Sequence, residues 1–443
     1  MIKFIKNASQ FTRENYLTIA STIIIFGALI FYVVFTSDSS YIQNGNEVIL
    51  HFADNITEAH KKTIEKFNKK YAGSIKVVTV DLPFEKFSTN ERKELLARSL
   101  RSKADKLDVF SVDHIWVRRF ARWTESLQDE FDQSELDNFV ENALKPCYVD
   151  GELHAIPLYL DVGLMFYRTD LFNTVVKDTS LKRELIESIT WKKFIEIGKK
   201  FDNPYYLFPA DSYEGLVCSY LEMILNQNRS FFESEEIDLT RPESVRALQT
   251  LVDLVNTYKI SPPEVTGFKE NHAREYFIKN NAVFVRGWPG FTIDFRKEIK
   301  SEQLLLSIES TPMPHYEGTE PAFIFGGWNL MISKYSKHKK EALIFINYLT
   351  SEESQLIMFE NGKHNPVKKD IYLNEEITGK YPDLKYFDRF FEHGVHRPFL
   401  ADYTRVSDII SYYLNQAITL EMEVEDALKK ANDMIREGRV LVR

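Results

Sequence analysis

Between residues 48 and 112 the sequence alternates short apolar runs with helical patterns, and this alternation constrains the fold more than any other feature. Val48-Ile49-Leu50-His51-Phe52 reads as a strand. Thr57 is a good N-cap for a helix that carries Ile64, Phe67 and Tyr71 on one side and stops at Gly73. Ile75 to Val80 reads as a second buried strand, a helix follows from about Glu91 to Lys103, and Leu107 to Val112 reads as a third strand. Strands joined through helices pair in parallel, so the pattern predicts an α/β lobe. Ligands of such sheets sit beyond the carboxyl ends of the strands, and Asp113 and Trp116 stand at such an end.

The stretch from Gly151 to Arg168 adds chemistry to that frame. Asp150-Gly151 is a turn signal, and the segment after it, with Pro157 near its start, reads as extended. Tyr159 and Asp161 lie two apart and so share one face of an extended chain. A tyrosine beside a carboxylate suits a polyhydroxylated ligand, although Asp161 capping a turn is the plain structural alternative. After Gly163, Leu164-Met165-Phe166-Tyr167 reads as a strand buried on both faces. Further on, Thr190-Trp191 opens a helix, and helices are expected near 214–227, 242–258 and 338–349. A strand at Ala282 to Arg286 leads into Gly287-Trp288-Pro289-Gly290. Ala322 to Ile332 reads as a strand interrupted by the pair Gly326-Gly327, with Trp328 just after it. Val424, Ala427, Leu428, Ala431 and Ile435 mark a C-terminal amphipathic helix.

The N-terminus carries an address. Leu17 to Phe35 is an uncharged, apolar run of 19 residues, enough to cross a bilayer core of ~30 Å. Lys3, Lys6 and Arg13 precede it, which predicts an N-terminus in the cytoplasm and everything after Thr36 outside. A cleaved signal peptide is the rival, but the run is longer than a usual signal core and no clean small-residue cleavage site follows. No cysteine stands near its end to carry a lipid. Cys147 and Cys218 are the two cysteines, expected in different lobes as separate buried thiols rather than a disulfide. A net charge of -9 without a basic run beyond the N-terminus argues against nucleic acid as a partner.

Catalytic signatures of the nucleophile-elbow, zinc-protease, phosphate-loop and dinucleotide kinds are missing. His393 and His396 are too isolated to argue for a metal, and nothing points to a cofactor. Asp113 and Asp161 form the sharpest enzyme hypothesis, a glycosidase acid and nucleophile if they stand ~5–9 Å apart. Trp288 and Trp328 each follow a glycine, so each ring is expected to project from a close backbone turn, where the C–H face of a sugar stacks well. Arg397 stands at a segment end, and arginine and carboxylates suit the hydroxyls at a sugar's rim.

Taken in order, five segments carry a resemblance: Asp108 to Trp116, Gly151 to Arg168, Val285 to Pro289, Gly326-Gly327-Trp328, and Arg397-Pro398 onward to Ile435. Over roughly residues 48 to 437 the chain resembles the extracellular solute-binding proteins of carbohydrate ABC transporters, of the maltose- and trehalose-binding type. The resemblance implies a two-lobed, hinged α/β fold of the type II periplasmic-binding-protein kind, preceded here by the transmembrane helix. It places a short cytoplasmic segment at 1–16, the anchor at 17–36 and a linker at 37–46. Lobe one is then 46–157 plus 310–352, and lobe two 158–309 plus 353–443. Asp113, Trp116, Tyr159, Asp161, Trp288, Gly327, Trp328 and Arg397 are implied to line the cleft. The implied function is non-enzymatic: capture of a carbohydrate, an oligosaccharide, outside the membrane and its delivery to an ABC permease. A membrane-tethered glycosidase and a ligand-sensing receptor with a separate signalling partner are the alternatives.

Overall fold

The computed structural model describes residues 47–83, 86–87, 89–103, 107–232 and 237–441. The expected anchor, Leu17 to Phe35, lies outside the described residues. Among the described residues no helix is long and apolar enough to cross a membrane.

Twelve strands are described: β1 (Val48–Asp54), β2 (Ile75–Asp81), β3 (Val109–Asp113), β4 (Tyr148–Val149), β5 (Glu152–Leu153), β6 (Ile156–Val162), β7 (Leu164–Arg168), β8 (Tyr206–Leu207), β9 (Phe284–Gly287), β10 (Ile308–Thr311), β11 (Phe323–Ile332) and β12 (Gly394–Val395). The alternation at the start of the chain does what its pattern dictates. β1 pairs in parallel with both β2 and β3, through crossovers that carry the helices Glu58–Lys70 and Thr89–Arg101. The first of these helices begins at Thr57, whose hydroxyl lies 2.8 Å from His60 Nδ1. Its Phe67 ring meets Phe345 and Tyr348 of the helix Lys339–Leu349 edge-on, at centroid distances of 4.9 and 5.3 Å.

The first sheet runs β12-β11-β3-β1-β2, and β6 also pairs with β11. β11 is therefore its middle: antiparallel to β3 on one edge, antiparallel to β6 on the other, and parallel to β12 at its first two residues. All ten of its residues are buried. The glycine pair does not interrupt it; the strand is continuous, with a register shift against β6 between Trp328 and Asn329. The second sheet runs β10-β7-β9-β8. β4 and β5 form a hairpin whose turn, Asp150-Gly151, has positive φ at both residues, as its sequence signalled.

The chain passes from the first sheet to the second at Gly163, the one residue between β6 and β7. It returns between Thr311 and Phe323 and leaves again after Val395. The helices Tyr403–Ile418 and Val424–Arg436 then pack on Pro242–Asn256, and Tyr403–Ile418 also packs on Glu214–Leu225. Val424, Ala427, Leu428 and Ala431 of the C-terminal stripe are buried. The lobe boundaries drawn from the sequence need correction: β6, through Val162, and β12 both pair with β11, so residues 158–162 and 394–395 go with the first sheet. β10 pairs along its whole length with β7, so residues 310 and 311 go with the second sheet. Helix Glu352–Gly362 packs on Glu58–Lys70, with Lys66 Nζ 2.8 Å from Glu353 and Lys62 Nζ 2.6 Å from Asn361, so it belongs with the first sheet rather than the second. Cys147 and Cys218 are buried and free.

Candidate functional site

Strand register explains why residues far apart in sequence converge. Trp328 on β11 stands opposite Asp113, the last residue of β3, and opposite Tyr159 on β6. Residues directly opposed across a sheet project to the same face, so these three make a row at the carboxyl end of β3. Two residues along β6 from Tyr159, Asp161 pairs with Gly326. Gly326 is bare for a reason: a Cβ there would lie 2.8 Å from Cζ3 of Trp288. The Trp288 ring, carried just beyond β9 of the second sheet, thus rests on the middle strand of the first. Gly327 has φ +140°, and a Cβ on it would fall 2.6 Å from the Tyr159 carbonyl oxygen, so only glycine lets β11 approach β6 this closely.

These residues wall a cavity of about 490 Å³, the size of a small-molecule site. Seven of the eight sequence-implied residues line it: Asp113, Tyr159, Asp161, Trp288, Gly327, Trp328 and Arg397. Trp116 does not. It is 2 % exposed in the core and meets Trp328 edge-on, with centroids 6.4 Å apart, because the short helical turn after Asp113 folds it inward. Trp116 backs the Trp328 ring from inside the core. Behind Trp328, the Arg92 guanidinium lies 4.2 Å from the indole centroid and donates to Asp54 at 3.0 Å.

Arg397 lines the cavity yet is 2 % exposed, since its guanidinium is committed to protein carboxylates. Nη2 donates to Asp113 Oδ1 at 2.7 Å and Nη1 to Glu214 Oε1 at 2.8 Å. Glu214, the first residue of the helix Glu214–Leu225, also accepts from the Tyr403 hydroxyl at 2.7 Å and from Ser407 Oγ. The arginine therefore ties the end of β3 to the helices that flank the second sheet.

Two walls of the cavity differ in charge. On one, Arg274 pairs with Asp294 at 3.0 Å and with Glu298 at 2.6 Å, and Tyr213 donates to Glu270. On the other, burial pushes the Tyr159 phenol well above its usual range and the Asp161 carboxyl up to about 7. Asp161 Oδ1 is buried without a hydrogen-bond partner. His364 lies in the same wall, stacked on Tyr159 with centroids 4.1 Å apart, and burial pushes it down to about 3. Sequence reasoning missed His364, Tyr213, Glu214, Glu270 and Arg274. Tyr213-Glu214 opens a helix that was expected, and a search of helix starts for clustered polar residues would have found it. His364, a lone histidine after a helix exit, carried no such signal. At the rim, a Cβ on Gly290 would stand 3.7 Å from the Gly362 carbonyl oxygen, so segments from the two sides meet there.

Comparison with known proteins agrees with this architecture. The model of the bacterial extracellular solute-binding protein family matches residues 53–356. A probable ABC transporter-binding protein of Deinococcus radiodurans is 28% identical over 377 residues, covering 83% of this chain and 87% of that protein. The maltodextrin-binding protein MdxE of Bacillus subtilis is 23% identical over 256 residues, or 55% of this chain and 58% of that one. Among solved structures, maltose-bound MalE3 of T. maritima superposes with a TM-score of 0.79 at 30% identity, covering 88% of this chain and 99% of the other. With two sheets, a cavity walled from both and a family match over most of its length, the chain belongs to the bacterial extracellular solute-binding proteins of ABC transporters.

Proposed function

We propose that this protein captures a neutral carbohydrate, an oligosaccharide, in the cavity between its two sheets and presents it to an ABC permease. The observation that carries the reading is the pair of indoles: Trp328 belongs to the first sheet, and Trp288 reaches over it from the second. A ring held between them touches both lobes at once, which is the differential contact that ligand-driven closure needs. MalE3 of T. maritima, bound to maltose, lends the substrate class. The lobes are 46–162 with 312–395 and 164–311 with 397–443, the sequence-drawn division adjusted to the pairing of β6, β10 and β12 and to the packing of helix Glu352–Gly362. Leu17 to Phe35 tethers the protein with its binding lobes outside the membrane; an intact N-terminus in membrane-extracted protein tests that tether, and a mature chain beginning near Thr36 refutes it.

The glycosidase alternative loses ground because Asp113, one of its two acids, is held by Arg397 at 2.7 Å. Calorimetric titration of the part from about residue 45 with maltose, lactose and maltotriose tests the proposal. Binding of at least one with no turnover supports it. Silence toward all three, or hydrolysis lost in Asp161→Asn, overturns it.

A further inference from the structure

His364 follows Lys363, the left-handed residue that ends helix Glu352–Gly362, and its neighbour Asn365 bridges to Leu160 on β6. The Leu160 N–H donates to the Asn365 carbonyl at 3.3 Å, which fixes the loop alongside the strand that carries Tyr159 and Asp161. Tyr159 then holds the imidazole plane, with an interplanar angle of 26°. One edge of the ring lies on Gly362, where a Cβ would stand 2.3 Å from Cδ2 and 2.6 Å from Nε2. Any larger residue at 362 would push the ring away, so its position is built into the loop.

That packing sorts the two ring nitrogens. Nε2 is buried against Gly362 and has no hydrogen-bond partner. A buried N–H without an acceptor is a rarer and costlier state than an idle lone pair, so the proton belongs on the other nitrogen. Covalent geometry puts Nδ1 across the ring from the Cδ2–Nε2 edge, and so away from Gly362. The charged groups nearest the ring do not alter this. His60 Nε2 lies 3.2 Å from Asp54, and burial together with His60 keeps His364 uncharged throughout the physiological range.

We infer that His364 is a specificity-determining residue of the cavity, whose Nδ1–H donates to an oxygen of an uncharged polyhydroxy ligand stacked beside it. The inference rests on the carbohydrate reading and names one atom of that site. It gives the cavity a wall that recognises oxygens without adding net charge, next to the unpartnered Oδ1 of Asp161.

Two substitutions separate donation from packing. His364→Phe keeps a ring on Tyr159 and removes the donor; His364→Asn removes the ring and keeps an N–H close to the place of Nδ1. Each is titrated calorimetrically with whichever of maltose, lactose or maltotriose wild type binds, and melting temperatures are measured without sugar. The expected result is affinity about tenfold weaker or worse for His364→Phe, and within about threefold of wild type for His364→Asn, as loss of one buried hydrogen bond implies. Unchanged affinity in His364→Phe overturns the inference and leaves the carbohydrate reading intact. Equal loss in both variants also overturns it, because the ring would then matter only as packing. Silence of wild type toward all three sugars sinks the carbohydrate reading, and the role of His364 with it.

Discussion

Replacing Asp161 by asparagine should make the sugar-free protein more stable at pH 8 and leave it nearly unchanged at pH 4. Burial lifts the carboxyl from an ordinary value of 3.8 to about 7. Between those two pH values the unfolded chain has released the Asp161 proton while the folded chain keeps it. The unfolded state therefore binds fewer protons there, and stability falls as pH rises, levelling off above the folded pKa. At about 1.36 kcal/mol per unit, a rise of roughly three units costs about 4 kcal/mol by pH 8. Asparagine has the shape of the protonated acid and no charge to bury, so it escapes the loss. Urea unfolding of both proteins at pH 4, 5.5, 7 and 8 isolates the effect, since other titrating groups cancel in the difference. The gap should open steadily from pH 4 to 7 and then hold. A gap that stays constant with pH, or a variant less stable at pH 8, would refute the reasoning. The same substitution should weaken sugar binding, a case in which a binding group is kept at the expense of stability.

Four further outcomes are expected. Arg397→Ala leaves Asp113 and Glu214 without their counter-charge and should cost about 3–5 kcal/mol of stability in denaturant unfolding; adding Glu214→Gln should return part of it. Trp328→Ala should lower both stability, by about 3–5 kcal/mol, and sugar affinity, because the ring is 7 % exposed and packs on Trp116 and Arg92. Trp288→Ala should act mainly on affinity, which calorimetry beside a melting curve separates. Gly163→Ala places a Cβ 2.3 Å from Glu222 Oε1, whose carboxylate also accepts from the Ile324 N–H, so it should cost about 1–3 kcal/mol and change the small-angle scattering of the sugar-free form.

How much of this could be read from the sequence follows the range of each interaction. The parallel strands β1, β2 and β3 came from local alternation, and Tyr159 and Asp161 shared a face because the period of a strand is two. The convergence of Asp113, Tyr159 and Trp328 came only from resemblance, since it depends on β11 inserting between β3 and β6. Arg397 lines the cavity through its hold on Asp113. Its partner Asp113 lies 284 positions away, and no pattern in one sequence records that pair. Trp116 failed for a local reason: the chain turns into a short helix right after Asp113, and the ring rotates into the core. Helix Glu352–Gly362 was assigned to the wrong lobe because its polar and apolar residues alternate too irregularly to mark a face, and only its packing on Glu58–Lys70 reveals where it belongs.

The place of β11 also has a consequence in time. As the chain emerges from synthesis, β1, β2 and β3 are complete roughly 200 residues before the strand that must sit beside β3 and join it to β6. Until Phe323 to Ile332 arrives, the first sheet has an unfilled edge at its centre and cannot close its core. The chain thereby stays incompletely folded through most of its production. Once released, it should fold slowly for its size, because its central pairing spans so long a loop. A fragment ending before residue 323 should show no cooperative unfolding of the first sheet, and a cooperative transition in that fragment would remove this account of its timing.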